Sequence, residues 1–175
     1  MKIYLTFNDC PNNDTNEILD TLKQYNLKAC FFVLSLNALK YTSIMDRLTH
    51  EGHQVGLHGL NSSNWSKMSP QKIEEDLNKA IAILNSRHIL PKLYRPPYGT
   101  LTIDGSNFFI GKKIKLMMWD IMVDGKDNPD PEDIIKQITE DDKDKIVCLR
   151  GSVLKILKII IPELNKSVEF TIWDL

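Results

Sequence analysis

Polar and ionisable side chains close several short apolar runs of this 175-residue chain. They are Asn8, Asp9, His58, Ser62, Arg95, Tyr98, Asp120, Asp124 and Arg150. A carboxylate and an imidazole can both ligate a divalent metal ion such as zinc, and both can transfer protons. An asparagine cannot accept a proton at neutral pH, and an arginine does not release one. The set indicates a binding or catalytic site if folding brings these residues together.

The elements that would position these residues follow from hydrophobic periodicity, which alternates between β-rich runs and helical stripes. Seven strands are predicted at residues 3–7, 28–34, 53–58, 92–95, 114–119, 146–149 and 168–173. Helices are predicted after Asp14, around 44–52, from Ser69-Pro70, weakly over 101–110, from Pro131 and over 153–164. Asp14 and Glu17 have capping-box spacing, and Ser69 precedes a proline at the first helical position.

Alternating strands and helices predict an α/β fold with parallel strands joined by crossovers. Such a chain can form an open sheet or curl into an incomplete barrel, and in both cases ligands collect at the carboxyl ends of the strands. Five of the predicted strands, the first and the third to the sixth, end in polar or ionisable groups. Their joint placement favours a site on that rim.

Five segments carry a family resemblance. They are T-F-N-D-C-P at residues 6–11, G-H-Q-V-G-L-H-G-L-N-S at 52–62, R-P-P-Y at 95–98, W-D at 119–120 with Asp124 beyond, and I-V-C-L-R at 146–150. In this order and spacing they resemble the polysaccharide deacetylase (NodB-homology) family, carbohydrate esterase family four. The family patterns are T-F-D-D-G-P, G-x-x-x-G-x-H-[ST]-x-x-H, R-x-P-Y, a Trp-Asp strand end followed by another acid, and I-V-L-x-H. The resemblance implies a distorted, incomplete (β/α) barrel of about seven parallel strands.

The resemblance also implies a metal-dependent hydrolase that removes N-acetyl groups from amino-sugar polymers of the chitin or peptidoglycan type. In the family, one aspartate and two histidines hold the metal, and their positions correspond here to Asp9, His58 and Ser62. The general base corresponds to Asn8, and the general acid to Arg150. By the same resemblance, Arg95 and a second acid orient these groups, and a backbone N–H beside Tyr98 holds the oxyanion. Asp120 and Asp124 both remain candidates for the second acid.

Substrate contacts are expected from Trp65, Pro97, Tyr98, Trp119 and Leu149. Trp65 and Trp119 could instead pack in the core or rim, and Tyr98 could be either buried or exposed in the groove. The family glycine after the aspartate pair is Cys10 here, which would strain that turn if it needs positive φ.

Three replacements on one rim predict weak or absent deacetylase activity. Asn8 replaces the base, Ser62 replaces a metal ligand, and Arg150 replaces the acid. The cofactor is then a divalent metal of the zinc or cobalt type, or no metal at all. The alternative is a non-catalytic protein that binds a glycan or a protein partner through the retained groove.

Structural roles are open for the same residues. Asp9 and His58 could be hydrogen-bonding anchors of the loops rather than metal ligands. Arg150 could bind an anion or a sugar, or it could pair with Asp120 or Asp124.

Composition and length restrict the classes of binding partner and the number of domains. With 22 Lys and Arg against 23 Asp and Glu, the net charge of −1 gives no bulk electrostatic case for nucleic acid or an anionic membrane. A neutral partner such as an N-acetylated glycan or oligosaccharide is compatible with this balance. The length predicts one domain over residues 1–175. The three cysteines (Cys10, Cys30, Cys148) are an odd number with no CxxC pair, which argues against a disulfide framework. The start of the chain does not resemble a signal peptide, so an intracellular location is expected.

Overall fold

The structure is a computed structural model that describes residues 1–175. Its eight strands are β1 (Lys2–Cys10), β2 (Cys30–Val33), β3 (Gln54–Leu57), β4 (Leu93–Tyr94), β5 (Lys115–Leu116), β6 (Ile121–Asp124), β7 (Lys145–Arg150) and β8 (Glu169–Thr171). Its seven α-helices are α1 (Thr15–Gln24), α2 (Ser35–Lys40), α3 (Thr42–His50), α4 (Pro70–Ser86), α5 (Ile103–Phe108), α6 (Pro131–Thr139) and α7 (Leu154–Leu164). Short 3₁₀ turns occur at Trp65–Lys67, Pro97–Gly99 and Gly125–Asp127.

All strand pairs are parallel, in the order β5-β4-β3-β2-β1-β7-β6, with β8 also paired to β1. Because β5 and β6 do not pair, the sheet curls without closing. The predicted incomplete barrel is therefore confirmed. Its strand count differs from the sequence prediction because residues 114–119 do not form one strand. The chain leaves the sheet after Leu116 and enters it again at Ile121, on the opposite edge.

Local signals explain several helix boundaries and fail at others. Ser69 Oγ accepts the backbone N–H of Lys72, and Pro70 occupies the first turn, so α4 begins as its sequence predicts. The capping box predicted at Asp14 does not form, because the Asp14 side chain makes no capping hydrogen bond. The hydrophobic periodicity of the sequence did not predict α2, because this helix has only six residues and too few turns to show a period.

The two faces of the sheet have different surroundings. Phe31 belongs to the main core beneath the helices and stacks on Phe7, with ring centroids 4.9 Å apart. Phe32, the next residue, points to the other face and packs with Cys30 and Leu93 inside the curl. This inner cluster supports the base of the cavity described below. None of the helices has the length and apolar character needed to cross a lipid bilayer.

Candidate functional site

A cavity of about 480 Å³ opens at the carboxyl ends of the strands. Eight of the predicted site residues line it: Asn8, Asp9, His58, Ser62, Tyr98, Trp119, Asp124 and Arg150. Sequence reasoning missed five other lining residues: Asn12, Gly99, Met122, Lys126 and Gly151. Lys126 and Gly151 each lie within two residues of a predicted strand-end group, which was the available signal for them.

Strand register brings the central residues together. Phe7 of β1 is paired with Leu149 of β7, and Arg150 of β7 is paired with Asp124 of β6. Asn8 follows Phe7 directly, so Asn8, Arg150 and Asp124 come from neighbouring positions on three adjacent strands. Of the two candidate acids, Asp124 lies in the cavity wall, and its assignment to the role of the second acid stays a prediction.

Arg95 lies beneath the cavity and holds its base together. Its side chain is fully buried. Nε donates to the carbonyl oxygen of Met117 at 2.8 Å, and Nη2 donates to that of Met118 at 2.7 Å. Nη1 donates to Thr6 Oγ1 at 2.8 Å and to Asn8 Oδ1 at 2.9 Å. All four acceptors are neutral, so hydrogen bonds satisfy the guanidinium but no carboxylate compensates its charge.

Aromatic rings cover the Arg95 guanidinium. Its Cζ lies 4.0 Å from the centroid of Phe32 and 5.5 Å from that of Trp119. Burial lowers the pKa of Arg95, but a guanidinium starts from so high a value that it remains charged. These rings stabilise the buried cation through their negative faces.

Asn8 is oriented by Arg95. A guanidinium only donates, so the atom that faces it must be Oδ1, and Nδ2 is the other atom of the amide. Nδ2 has no hydrogen-bond partner within the protein and is not among the buried polar atoms without a partner, so it reaches the cavity. At the position corresponding to the family's base, the chain presents an N–H donor.

His58 follows β3 and is held as a neutral imidazole. Its Nδ1 lies 2.7 Å from the carbonyl oxygen of Arg95, which can only accept, so the proton is on Nδ1. Nε2 therefore carries the lone pair, and it lies 3.7 Å from Asp9 Oδ1. Burial is the main cause that lowers the pKa of His58 to about 4, while Asp9 acts in the opposite direction.

Ser62 and Tyr98 form the outer edge of the cavity. The Ser62 hydroxyl donates to the Tyr98 hydroxyl at 3.5 Å, and the Tyr98 hydroxyl lies 3.3 Å from the Ser62 carbonyl oxygen. Tyr98 is 59% exposed and has a φ of 59°, so it is a groove residue and not a core residue. Cys10 does not have the positive φ that would have strained the turn; the positive φ is at Asp9, at 57°, and an aspartate tolerates it better than most residues.

Arg150 is engaged by Asp124. Its Nε and Nη2 lie 2.7 and 2.6 Å from Asp124 Oδ2. The hydrogen bond to Asp124 raises the pKa of Arg150. Burial acts to raise the pKa of Asp124, but the backbone N–H of Lys126 and the Arg150 guanidinium outweigh it, so that pKa is lowered. The pair is fully ionised at neutral pH.

Comparison with known proteins decides the family. The sequence profile described as polysaccharide deacetylase matches residues 1–119, about two thirds of the chain. This chain belongs to the polysaccharide deacetylase family. The NodB-homology assignment and the carbohydrate esterase family four assignment made from the five segments are thus confirmed.

Individual relatives agree with this assignment. A peptidoglycan-N-acetylglucosamine deacetylase of Bacillus cereus is 34% identical over 122 residues, covering 69% of this chain and 44% of that protein. A second enzyme of that name from the same species is 28% identical over 177 residues, covering 94% and 82%. The crystal structure of the Bc1960 peptidoglycan N-acetylglucosamine deacetylase superposes with a TM-score of 0.85 at 30% identity, covering 97% of this chain and 85% of that one. The first of these relatives is matched over less than half of its length.

Polysaccharide deacetylases of this kind are generally metal-dependent, and the residues of this chain at the metal-ligand positions are Asp9, His58 and Ser62. Asp9 and His58 Nε2 are suitable metal ligands, but the third ligand position is occupied by the Ser62 hydroxyl, which is turned toward Tyr98. No group of three histidine, cysteine, aspartate or glutamate side chains is placed to share an ion. A catalytic zinc ion usually has three protein ligands. The residues present do not fit such a site.

The structure places four predicted site residues away from the cavity. Asp120 lies at the start of β6, the opposite end of the sheet from the cavity, where its Oδ2 accepts the backbone N–H of Ile146 at 2.7 Å. Leu149 is fully buried because its side chain alternates with that of Arg150. Trp65 is only 3% exposed and packs against Gly105, and Pro97 is buried beside Gly59. Leu149, Trp65 and Pro97, from which substrate contacts were expected, thus do not line the cavity, and Asp120, a candidate for the second acid, lies apart from it.

The three cysteines and His53 are buried away from the cavity. The three cysteines are free and packed in the interior. Burial raises the pKa of Cys30 to about 12 and that of Cys148 to about 11, so neither forms a thiolate at neutral pH. His53 is 7% exposed and is bonded to the backbone at the far end of β3.

The side chains in the cavity are better suited to binding a ligand than to transferring protons. Neither Asn8 nor Arg150 can exchange a proton at neutral pH. His58 Nε2 has a free lone pair, but a base with a pKa of about 4 removes a proton from water inefficiently at pH 7. Tyr98 and Trp119 offer aromatic surface, and Asn8 and Arg150 offer N–H donors. These groups suit a polar ligand with apolar faces, such as a sugar.

Proposed function

We propose that this polysaccharide deacetylase homologue binds N-acetylated glycans in its cavity and deacetylates them weakly or not at all. The observation that carries the proposal is the orientation of Asn8. Its Oδ1 is fixed by Arg95 at 2.9 Å, so its Nδ2 faces the place where a hydrolytic water would need a base. A deacetylase needs an acceptor there, and this chain supplies a donor.

The general acid of the reaction is replaced as well as the general base. The leaving amine must be protonated, and the residue at the corresponding position is Arg150, which is bonded to Asp124. Losing a general acid or a general base costs about 10²–10⁴ in rate for each group. With both replaced in one cavity, hydrolysis would be slow even on a well-bound substrate.

Glycan binding is supported by what remains. The cavity is open, about 480 Å³ in volume, and edged by the exposed ring of Tyr98 and the half-buried ring of Trp119. Its walls offer both donors and acceptors. Relatives named as peptidoglycan-N-acetylglucosamine deacetylases act on N-acetylated sugar polymers, and this proposal extends that class of ligand to the present chain.

A paired measurement of binding and turnover tests the proposal. Isothermal titration of the protein with tri- to penta-N-acetylchitooligosaccharides is expected to give saturable binding. The same samples, with zinc or cobalt added, should release acetate no faster than about one thousandth of the rate of an intact family member. Saturable binding with rapid acetate release would identify a working metal-dependent deacetylase, and absence of binding would contradict the proposal altogether.

A matched pair of tryptophan variants locates the binding site. Trp119→Ala removes an aromatic wall of the cavity, and oligosaccharide affinity should fall about five- to tenfold. Trp173→Ala removes a half-buried tryptophan that stacks on Tyr4 at 4.7 Å, away from the cavity, and should leave affinity unchanged. Equal losses in both variants would show that binding does not occur in this cavity.

A further inference from the structure

A group of lysines lies at the amino ends of β4 and β5, at the opposite end of the sheet from the cavity. Lys92 directly precedes β4, and Lys115 is the first residue of β5. The backbone N–H of Lys115 donates to the carbonyl oxygen of Lys92 at 2.8 Å, so these two lysines are fixed side by side at the edge of the sheet. Together with Lys112 and Lys113 they line a groove of about 410 Å³, called here the lysine groove. All four lysines are exposed.

No side chain of the protein neutralises the lysines of this groove. None of the four ammonium groups has a carboxylate within 4.0 Å. Lys112 Nζ donates to the carbonyl oxygen of Phe108 at 2.8 Å, and Lys92 Nζ donates to the main-chain oxygen of Leu175 at 2.6 Å. The ammonium groups of the other two lysines make no hydrogen bond within the protein. Main-chain contacts therefore hold two of the side chains in place and leave the other two free.

The acidic residues of this region lie outside the lysine groove. Between positions 88 and 119 the chain has one acidic residue, Asp104. Asp104 and Glu74 line an adjoining groove that shares only Lys112 with the lysine groove. Asp174 precedes Leu175 but is not among the lining residues. The net charge of −1 over the whole chain thus conceals a local excess of positive charge.

Exposed aliphatic side chains flank the same groove. Leu90 is 75% exposed and lines a neighbouring depression together with Lys92. Ile110 is 74% exposed and lies two residues before Lys112. The other residues that line the groove are Ile114 and Leu175, so apolar surface lies beside the lysine stems. Lysines and exposed aliphatic side chains together form an amphipathic surface at this end of the barrel.

We propose that the lysine groove and its flanking side chains dock the protein peripherally on an anionic lipid bilayer. Ammonium groups are attracted to negatively charged headgroups, and exposed leucine and isoleucine side chains enter the boundary between headgroups and acyl chains. Single-stranded nucleic acids, in contrast, are bound where aromatic rings or arginines accompany the positive charge, and the groove is lined by neither. In the docked orientation the cavity opens away from the bilayer. The inference does not depend on the proposed glycan binding.

Flotation of the full chain with lipid vesicles tests the proposal. Vesicles of phosphatidylcholine with about 30% phosphatidylglycerol should bind the protein at low ionic strength, and vesicles of phosphatidylcholine alone should not. Raising the salt concentration should weaken the binding, because it screens the lysines from the headgroups. Failure to bind the anionic vesicles, or equal binding to both kinds of vesicle, would overturn the proposal.

A triple variant assigns the binding to the groove. Lys112→Gln, Lys113→Gln and Lys115→Gln together should weaken binding to the anionic vesicles about 100-fold, since each lysine near the bilayer contributes roughly fivefold. The three side chains are exposed, so the variant should keep its fold, which circular dichroism checks. Unchanged vesicle binding in the folded triple variant would overturn the assignment.

A matched triple variant controls for net charge. It changes three exposed lysines of α1, α4 and α6 to glutamine: Lys23, Lys79 and Lys136. Its net charge equals that of the first variant, but its vesicle binding should fall less than about threefold, because the replaced charges are scattered over other faces. Equal losses in the two variants would show that binding follows net charge alone, which overturns the docking surface.

A third variant separates a bilayer from a soluble polyanion. Leu90→Ser with Ile110→Ser keeps every lysine and removes the exposed aliphatic side chains, so vesicle binding should fall about tenfold. Binding to soluble polyphosphate, measured by calorimetry, should be the same as in the wild type. Vesicle binding that this variant leaves intact and that polyphosphate competes away completely would assign the groove to soluble polyanions and overturn the choice of a bilayer.

Discussion

Two histidines at opposite ends of β3 show how one residue type acquires two roles. His53 precedes the strand, is 7% exposed, and its Nδ1 accepts the backbone N–H of Ala29 at 3.2 Å. His58 follows the strand, is 2% exposed, and its Nδ1 donates to the carbonyl of Arg95. Burial lowers both pKa values to about 4. The two rings are equally neutral but have opposite tautomers, so only His58 offers a lone pair on Nε2.

The difference lies in the neighbours that each strand end supplies. At the amino end, a backbone N–H fixes the proton of His53 on Nε2, and the ring joins the starts of β2 and β3. At the carboxyl end, a backbone carbonyl fixes the proton of His58 on Nδ1 and leaves Nε2 facing Asp9. Burial alone therefore does not identify a functional histidine. The hydrogen-bond partner of Nδ1 does, because it decides whether Nε2 carries a lone pair.

The largest expected effect comes from restoring the three replaced family residues at the carboxyl ends of the strands. Asn8→Asp, Ser62→His and Arg150→His together would supply a base, a third metal ligand and an acid beside His58. Acetate release from chitooligosaccharides with zinc present should rise by at least about 10³ over wild type, and each single change should give little. Zinc affinity, measured by titration calorimetry, should rise already in Ser62→His. A triple variant that folds and binds zinc without releasing acetate would show that more than these three positions is altered.

The next largest effect is expected from removing Arg95, the buried cation at the carboxyl ends of the strands. Arg95→Met would leave the four acceptors of the guanidinium without their donor in a buried setting, at a cost of about 3–5 kcal/mol in the free energy of unfolding. Urea denaturation measures it. Arg87→Met, which breaks a surface ion pair with Asp46, should cost less than about 1 kcal/mol. Similar losses in the two variants would contradict the organising role of Arg95.

A third prediction separates the two histidines by pH. Unfolded histidines take up protons near pH 6.5, and the folded ones only near pH 4, so stability should fall as the pH is lowered between these values. His53→Gln and His58→Gln should each reduce that slope in denaturation curves measured from pH 7 to 4. Only His58→Gln should also weaken glycan binding at pH 7. Loss of binding in His53→Gln without loss of structure would remove the distinction between the two ends.

The smallest effect concerns Tyr98 at the cavity edge. Since the ring is exposed and its φ is positive, Tyr98→Gly should change the free energy of unfolding by less than about 1 kcal/mol. The cavity would lose aromatic surface, so oligosaccharide affinity should fall severalfold. Thermal unfolding and calorimetry measure the two quantities on the same sample. A large drop in the melting temperature would indicate a packing role that its exposure does not suggest.

The sequence predicted the parallel architecture well because its strands and helices differ in period. It also predicted that polar residues gather at one rim, where they line the cavity, since a parallel sheet places all carboxyl ends together. It could not locate Asp120, because the apolar run at 114–119 conceals the point where the chain leaves one edge and joins the other. Side-chain direction was equally inaccessible. Leu149 and Trp65 have residue types suited to sugar contacts, but their packing, which depends on distant segments, turns them inward.

Arg95 has a consequence for motion at the open side of the barrel. Residues 117–120 belong to no strand, because they cross between the unpaired edges at β5 and β6. The guanidinium of Arg95 binds the carbonyls of Met117 and Met118, so a side chain from β4's end supplies bonds that a closing strand would otherwise provide. Opening fluctuations of this crossing segment then require the guanidinium to release it. Amide hydrogen exchange over this segment should consequently be slower than its irregular backbone suggests, and the Trp119 wall of the cavity should stay in place between binding events.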